Sequence, residues 1–336
     1  LLQPVFDRRF EAPLLLRHGH ASATNGTHTF VISDGERLVV LDHATGEPVR
    51  EIVYDVPSGD PFHRPDQVEW LPGGGAGAAL LAVLADNRPG EVRVYDVGDP
   101  ATPVEIGAFE TDRDQILLPL PQPGLAVLYA SSRSPQIWDM RTQTLVGEIA
   151  HAAPRRLAVS ADPARPRLAF IHEGSAGTEL VVFDLSDPAA PAFLSYVQGA
   201  DPRGQLALSP SGRLVLHTEF QDVAPWAPRT AYLRDAGTGE LLWTLDLAGD
   251  RGRFSFLDGP GGTVLAHARE EGVDLYRLQD PRSPELYATL PIEAGRVWAS
   301  KASTRWLVID ESTQELVLVD TEDGQELSRF RHGDHV

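Results

Sequence analysis

The chain of 336 residues has no cysteine, and Lys301 is the one lysine among its 29 basic residues. Without thiols, neither a disulfide bond nor a thiolate metal ligand can form. Basic charge is also scarce, because 48 acidic residues give a net charge of −19. This balance opposes sequence-independent binding of a polyanion, so no nucleic acid partner is expected.

Long apolar runs are missing as well. No stretch approaches the roughly 20 continuous apolar residues of a membrane-spanning helix, so no membrane span is predicted. The chain starts at Leu1 rather than Met, which fits both a mature chain after removal of a signal peptide and a trimmed chain. An extracytoplasmic location, periplasmic or at the cell surface, is the expectation.

Apolar residues and turn formers are plentiful. Apolar residues make up 42% of the chain, enough to bury a core, and 30 Gly and 27 Pro are spread along its whole length. An even distribution of turn formers indicates many turns rather than a linker. We therefore expect a single domain over residues 1–336.

A repeated pattern supplies the fold. Short apolar strands end near an aspartate seven times, at Asp42, Asp96, Asp139, Asp184, Asp235, Asp280 and Asp320. The intervals of 40 to 54 residues are typical of a four-stranded propeller blade. The sequence thus predicts an all-β protein, a seven-bladed β-propeller of four-stranded antiparallel blades.

The predicted blades cover most of the chain. Their approximate bounds are 17–56, 64–110, 113–150, 155–199, 203–248, 251–292 and 296–331, with 1–16 as a closure segment. An open ring would expose strand edges, so closure needs a strand from a chain end. We expect 326–330 to be the outer strand of the last blade, with the N-terminal segment beside it.

Two segments resemble a known repeat. Residues 92–104 (VRVYDVGDPATPV) and 180–192 (LVVFDLSDPAAPA) resemble the LVIVD repeat of bacterial and archaeal surface propellers. Blade six resembles it more loosely, because Arg277 interrupts the motif, while residues 235–243 (DAGTGELLW) are similar to a quinoprotein-like or YVTN-like repeat. The resemblance implies a fold and an extracytoplasmic setting, but no reaction.

An arginine precedes or opens the first strand of every predicted blade. These residues are Arg17, Arg64, Arg113, Arg155 with Arg156, Arg203, Arg251 with Arg253, and Arg296. Together they would form a positive rim suited to a carboxylate, a phosphate or an acidic loop. In the other interpretation each arginine is paired inside its own loop, because aspartates such as Asp66, Asp112 and Asp201 lie close by in sequence.

Three histidines occupy matching places at the ends of consecutive second strands. His172, His217 and His267 could bind zinc or copper if they converged. In the alternative they are interior or rim histidines satisfied by backbone carbonyls, because second strands of neighbouring blades diverge with distance from the axis. The insertion 219–229 contains Trp226, which either contacts a partner or folds back onto its own blade.

No motif for catalysis or for a cofactor is present, and no cofactor is predicted. The first functional hypothesis is a noncatalytic protein-binding or scaffolding propeller of the cell envelope, with the arginine rim and Trp226 on its binding face. The alternative is a small-molecule hydrolase or lactonase, with or without a metal ion, that uses one of the three histidines and a nearby carboxylate such as Glu173, Glu219 or Glu270.

Overall fold

A computed structural model provides the coordinates of this protein. It describes residues 22–24, 28–33, 37–42, 48–53, 65–71, 73, 79–85, 90–99, 102–112, 115–130, 132–150, 153–174, 177–220, 228–247, 253–259, 262–269, 271–292, 294–299, 305–310, 315–320 and 323–331. The chain divides into two compact units, one consisting mainly of residues 1–153 and the other mainly of residues 154–334. The single domain remains a prediction.

The first unit contains three sheets. Its strands are β1 (Ser22–Thr24), β2 (His28–Ser33), β3 (Arg37–Asp42), β4 (Pro48–Val53), β5 (Pro65–Leu71), β6 (Leu80–Ala85), β7 (Gly90–Asp96), β8 (Val104–Thr111), β9 (Ile116–Pro119), β10 (Leu125–Ala130), β11 (Arg133–Asp139) and β12 (Thr144–Glu148). Sheets 1, 2 and 3 each take four consecutive strands, and neighbouring strands are antiparallel.

The second unit contains four sheets of the same design. Its strands are β13 (Pro154–Val159), β14 (Arg167–Gly174), β15 (Gly177–Asp184), β16 (Ala192–Gln198), β17 (Leu206–Leu208), β18 (Leu214–Phe220), β19 (Pro228–Asp235), β20 (Leu241–Asp246), β21 (Arg253–Gly259), β22 (Gly262–Arg269), β23 (Gly272–Arg277), β24 (Glu285–Leu290), β25 (Ala294–Ala299), β26 (Arg305–Asp310), β27 (Glu315–Asp320) and β28 (Glu326–Arg331). They form sheets 4 to 7.

The aspartates of the repeat end the third strands and start the turns that follow. Six of the seven third strands end at the predicted aspartate. In four of them, at Asp96, Asp139, Asp184 and Asp235, the carboxylate accepts a hydrogen bond of 2.7 to 2.9 Å from the backbone N–H two residues later. This Asx turn satisfies a backbone donor where the ladder stops. Strand β23 ends earlier, at Arg277.

Every fourth strand contains a β-bulge near its start, where its pairing with the third strand shifts by one residue. The residues left out of the pairing are apolar in all seven sheets: Val49, Ile106, Val146, Leu194, Leu242, Tyr287 and Leu327. A bulge redirects side chains and increases the local twist. Ile106, Leu194, Leu242 and Tyr287 accordingly pack against buried clusters.

Apolar cores lie between consecutive sheets within each unit. In the first unit, one cluster joins sheets 1 and 2 through Leu38 and Leu81, and another joins sheets 2 and 3 through Val92 and Leu128. In the second unit, three clusters join sheets 4 and 5, 5 and 6, and 6 and 7. A sheet apolar on both faces packs in this way, as propeller blades do.

Within the described residues the protein is all-β and contains no helix, and its sheets fit a propeller-like fold. Strand β28 is the outer strand of sheet 7, as expected for 326–330, whereas segment 1–16 lies outside the described residues. The described part of the chain has no helix of the length and hydropathy needed to cross a membrane.

Candidate functional site

The predicted arginine rim is described only in part. Arg17, Arg64, Arg113, Arg251 and Trp226 lie outside the described residues, and so does the side chain of Arg296, whose backbone belongs to β25. The other arginines of the pattern belong to sheets 4, 5 and 6. Arg155 and Arg156 lie in β13, Arg203 comes just before β17, and Arg253 opens β21.

Arg203 is held by a carboxylate two residues before it. Its Nε and Nη2 donate to the two oxygens of Asp201, at 3.0 and 2.7 Å, and its backbone N–H also donates to Asp201 at 2.8 Å. Asp201 is buried, whereas about half of the Arg203 side chain is exposed. A bidentate pair fixes the plane of the guanidinium. At this position the loop-pairing interpretation is therefore confirmed.

The two arginines of sheet 4 point to different partners. Arg156 Nε donates to the backbone oxygen of Gly204, 3.3 Å away in the loop that leads into sheet 5. Arg155 forms a longer ion pair of 3.5 Å with Glu173, and both side chains are exposed. Arg156 thus braces two neighbouring sheets, while Arg155 stays at the surface.

Glutamines next to the arginines make the most regular contacts at these strand starts. Gln205 accepts a hydrogen bond from Phe254 N at 2.8 Å and donates one to Phe254 O at 2.9 Å. Gln67 makes the same pair of bonds with the backbone of Leu117. A carboxamide offers one acceptor and two donors, which match the N–H and C=O of one residue in the next sheet. We call this pair of bonds the glutamine joint.

The spacing of arginine and glutamine indicates the joint, but this contact was not predicted. Gln67, Gln115 and Gln205 follow Arg64, Arg113 and Arg203 by two or three positions, and the predicted contact residues were the arginines. Gln115 is also buried, and its Oε1 has no hydrogen-bond partner among the described residues.

His217, in β18, is enclosed by charged and aromatic neighbours from β19. Its ring stacks on Tyr232 with centroids 5.0 Å apart, and its Nε2 accepts a hydrogen bond from Arg234 Nε at 3.2 Å. Burial, helped by the positive charge of Arg234, lowers the pKa of His217 to about 4. The imidazole is therefore neutral at pH 7.

His267, in β22, has a different environment. It stacks flat on Phe254, with ring centroids 4.4 Å apart, and neither ring nitrogen has a hydrogen-bond partner among the described residues. The facing residue of β23 is Asp274, which accepts hydrogen bonds from Arg269 at 2.9 Å and Thr289 at 2.8 Å. Burial lowers the pKa of His267 to about 4, although Asp274 acts in the opposite direction.

His172, in β14, faces Glu179 of β15. Its Nε2 lies 3.5 Å from Glu179 Oε2, and its ring is 5.7 Å from that of Phe170. All three histidines are 3% exposed, each among neighbours of its own sheet. No group of three His, Asp or Glu side chains in the described residues could hold a metal ion, so the structure does not bring these histidines together.

Comparison with known proteins adds information on the fold. The chain matches no protein-family model and no curated protein sequence. Solved structures match over almost the whole chain. One is from the complex of KlAtg21 with the coiled coil of AgAtg16: the TM-score is 0.63, the identity is 13%, and 93% of this chain and 98% of the other are covered.

Two further structures show the same degree of likeness. A chain of the mitotic checkpoint complex has a TM-score of 0.64 at 14% identity, with 94% of this chain and 95% of the other covered. Hydrazine synthase of Kuenenia stuttgartiensis has a TM-score of 0.56 at 14% identity, with 94% and 98% covered. At such identities the likeness shows a shared fold, and function has to be argued from the site.

Proposed function

We propose that this protein is a seven-bladed β-propeller of the LVIVD-repeat type that binds another protein without catalysing a reaction. Seven four-stranded sheets and the recurring strand-end aspartates support the blade count. The resemblance of 92–104 and 180–192 to surface propellers supports a place in the cell envelope. The acidic balance makes a protein a better partner than a nucleic acid.

One contrast in exposure carries the proposal. The side chains best suited to acid–base or metal chemistry, the three histidines, are 3% exposed, whereas Arg155 and Arg203 at the starts of first strands are about half-exposed. Arg203 is also fixed in orientation by Asp201. A guanidinium that is already ordered loses little conformational entropy when it binds a carboxylate of a partner. We place the binding face where the first strands begin.

The hydrolase alternative has one observation in its favour. His172 and Glu179 form a histidine–carboxylate pair, an arrangement that serves general base catalysis in enzymes. A substrate would have to reach an imidazole that is 3% exposed. Protein binding is therefore the function that the geometry supports better.

Affinity capture tests the proposal. The purified protein is used as bait in envelope and cytosolic fractions of the source organism, and is compared with the triple variant Arg113→Ala, Arg203→Ala, Arg251→Ala. The control variant Arg141→Ala, Arg282→Ala, Arg329→Ala has the same change in net charge, and none of its positions precedes a first strand. We expect the wild type and the control to capture a partner from the envelope fraction, and the rim variant to capture at least about tenfold less of it.

Equal capture by the rim variant would show that these arginines do not bind the partner and that the binding face is wrongly assigned. A lower unfolding temperature of that variant would then show that the arginines are structural. A partner captured from the cytosolic fraction alone would overturn the proposed location.

A further inference from the structure

The fourth strand is the last strand of each described sheet, so its outer side has no neighbour within that sheet. Exposed strand edges are prone to pair with other chains, and charged side chains on the edge oppose such pairing. Six of the seven fourth strands carry such charges: β4 has Arg50 and Glu51, β8 has Glu105 and Glu110, β12 has Glu148, β20 has Asp246, β24 has Glu285, and β28 has Glu326, Arg329 and Arg331.

Strand β16 is different, because its sequence AFLSYVQ contains no charged residue. It also carries the two most exposed aromatic side chains among the described residues, Phe193 at 51% and Tyr196 at 60%. A neutral strand with exposed aromatic residues, in a chain of net charge −19, is the least protected of the seven fourth strands.

The two exposed rings lie on one face of sheet 4. Their centroids are 6.5 Å apart, and Phe193 also makes an edge contact of 5.8 Å with Phe183 of β15. The other face of β16 is used inside the second unit, because Ser195 Oγ donates to Ala236 O at 2.8 Å and Leu194 and Val197 pack into the core between sheets 4 and 5. Phe193 and Tyr196 therefore form a separate surface, which we call the β16 edge patch.

We propose that the β16 edge patch is a homodimer interface, in which β16 of one copy pairs antiparallel with β16 of a second copy about a twofold axis. The absence of charged residues from β16 favours a second copy of this chain as the partner. In a twofold pairing each strand faces its own sequence, so β8, β12, β20 and β24, whose only charged residues are acidic, would bring negative charges into the interface, whereas β16 brings no charge. A register with Phe193 opposite Tyr196 of the second copy forms two aromatic pairs per dimer.

The strength and salt dependence of the dimer follow from its size and charge. A strand of seven residues spans about 23 Å, which is a small interface, so we expect a dissociation constant on the order of tens of micromolar. Two copies of charge −19 repel each other, and salt screens this repulsion. Association should therefore strengthen as NaCl is raised from about 50 to about 500 mM.

Sedimentation velocity of the purified chain, from about 1 to about 200 μM, measures this equilibrium directly. The test variant is Phe193→Glu, and the control is Leu286→Glu in β24. Both residues are 51% exposed, and they face Phe183 and Tyr276 at the matching bulge positions of sheets 4 and 6. Both variants reach the same net charge, so their long-range repulsion is equal.

We expect Phe193→Glu to weaken dimerisation by at least about tenfold and Leu286→Glu to leave it unchanged. Tyr196→Glu, whose ring contacts Phe193, should act like Phe193→Glu and shows that the effect does not come from lost packing on Phe183. A wild type that stays monomeric at both salt concentrations, or equal dimerisation of the Phe193 and Leu286 variants, overturns the inference. No other protein takes part, so this outcome is independent of the proposed function.

Discussion

Sheets 5 and 6 have a buried histidine at corresponding places of their second strands, and the two histidines are surrounded differently. His217 faces Tyr232 and accepts a hydrogen bond from Arg234, whereas His267 faces Asp274 and lies flat on Phe254. Burial nevertheless lowers the pKa of both to about 4. The two sites therefore share a buried ring that stacks on an aromatic side chain and has a lowered pKa, whereas the polar partners around it differ.

The largest expected effect is the loss of stability in acid that these two histidines cause. The pKa of each histidine is about 4 in the folded state and 6.5 in the unfolded state, so between these values the unfolded chain binds more protons. The free energy of unfolding therefore has its full value above pH 6.5 and decreases as the pH falls towards 4. We expect the free energy of unfolding to decrease by about 3 kcal/mol per histidine, measured by urea denaturation at a series of pH values.

The variants His217→Phe and His267→Phe separate the histidines from the carboxylates that also titrate in acid. In each variant the free energy of unfolding should decrease between pH 6.5 and 4 by about 3 kcal/mol less than in the wild type. At pH 7 they should differ from each other, because His217→Phe leaves Arg234 Nε without its acceptor, while His267→Phe keeps the stacking on Phe254 and removes two buried nitrogens that have no hydrogen-bond partner in the described part of the chain. Wild-type pH dependence in both variants would contradict the lowered pKa values.

The next largest effect is expected at the residues that face the histidines, beginning with Asp274. Its carboxylate accepts hydrogen bonds from Arg269 and Thr289 and is nearly buried. Asp274→Ala leaves a partly buried guanidinium without this acceptor, and we expect a loss of about 2 kcal/mol in the free energy of unfolding. The pKa of His267 should also fall further, because Asp274 raises it. Proton NMR titration of the imidazole measures this change, and a higher pKa would show the opposite coupling.

The smallest effect is expected for Tyr232→Phe in sheet 5. The Tyr232 hydroxyl donates a hydrogen bond of 2.6 Å to Glu219, and this bond raises the pKa of Tyr232. Phenylalanine keeps the ring against His217 and loses the side-chain hydrogen bonds of the hydroxyl with Glu219 and Thr230, so the free energy of unfolding should fall by about 1 kcal/mol. A loss larger than that of Asp274→Ala would mean that sheet 5 depends on its polar network more than sheet 6 does.

Much of the fold could be predicted from the sequence, because the repeat combines apolar strands with a fixed turn signal. The aspartate at a strand end predicts a turn for a physical reason, because its carboxylate accepts a hydrogen bond from the backbone N–H two residues later. The prediction was less accurate for β23, which ends at Arg277 although Asp280 also accepts an N–H, from Arg282. The turn signal marks the loop there, and the strand stops before it.

The site was harder to predict, because it depends on which strands become neighbours. Arg203 could be paired with Asp201 from sequence, since the two residues are close along the chain. The partners of Arg156 and Gln205 lie 48 and 49 residues away, in the next sheet, and no local pattern points to them. The fourth-strand bulges were missed for a related reason, because apolar residues at successive positions fit an unbroken strand equally well.

The glutamine joint has a consequence for how such a chain can vary. Gln67 and Gln205 bind the main chain of the next sheet, and the side chains at the bonded positions differ, a leucine at Leu117 and a phenylalanine at Phe254. A connection that recognises a peptide group places no demand on the side chain across from it. Neighbouring repeats can therefore diverge in sequence, or be exchanged for one another, without losing the bonds that hold one sheet to the next.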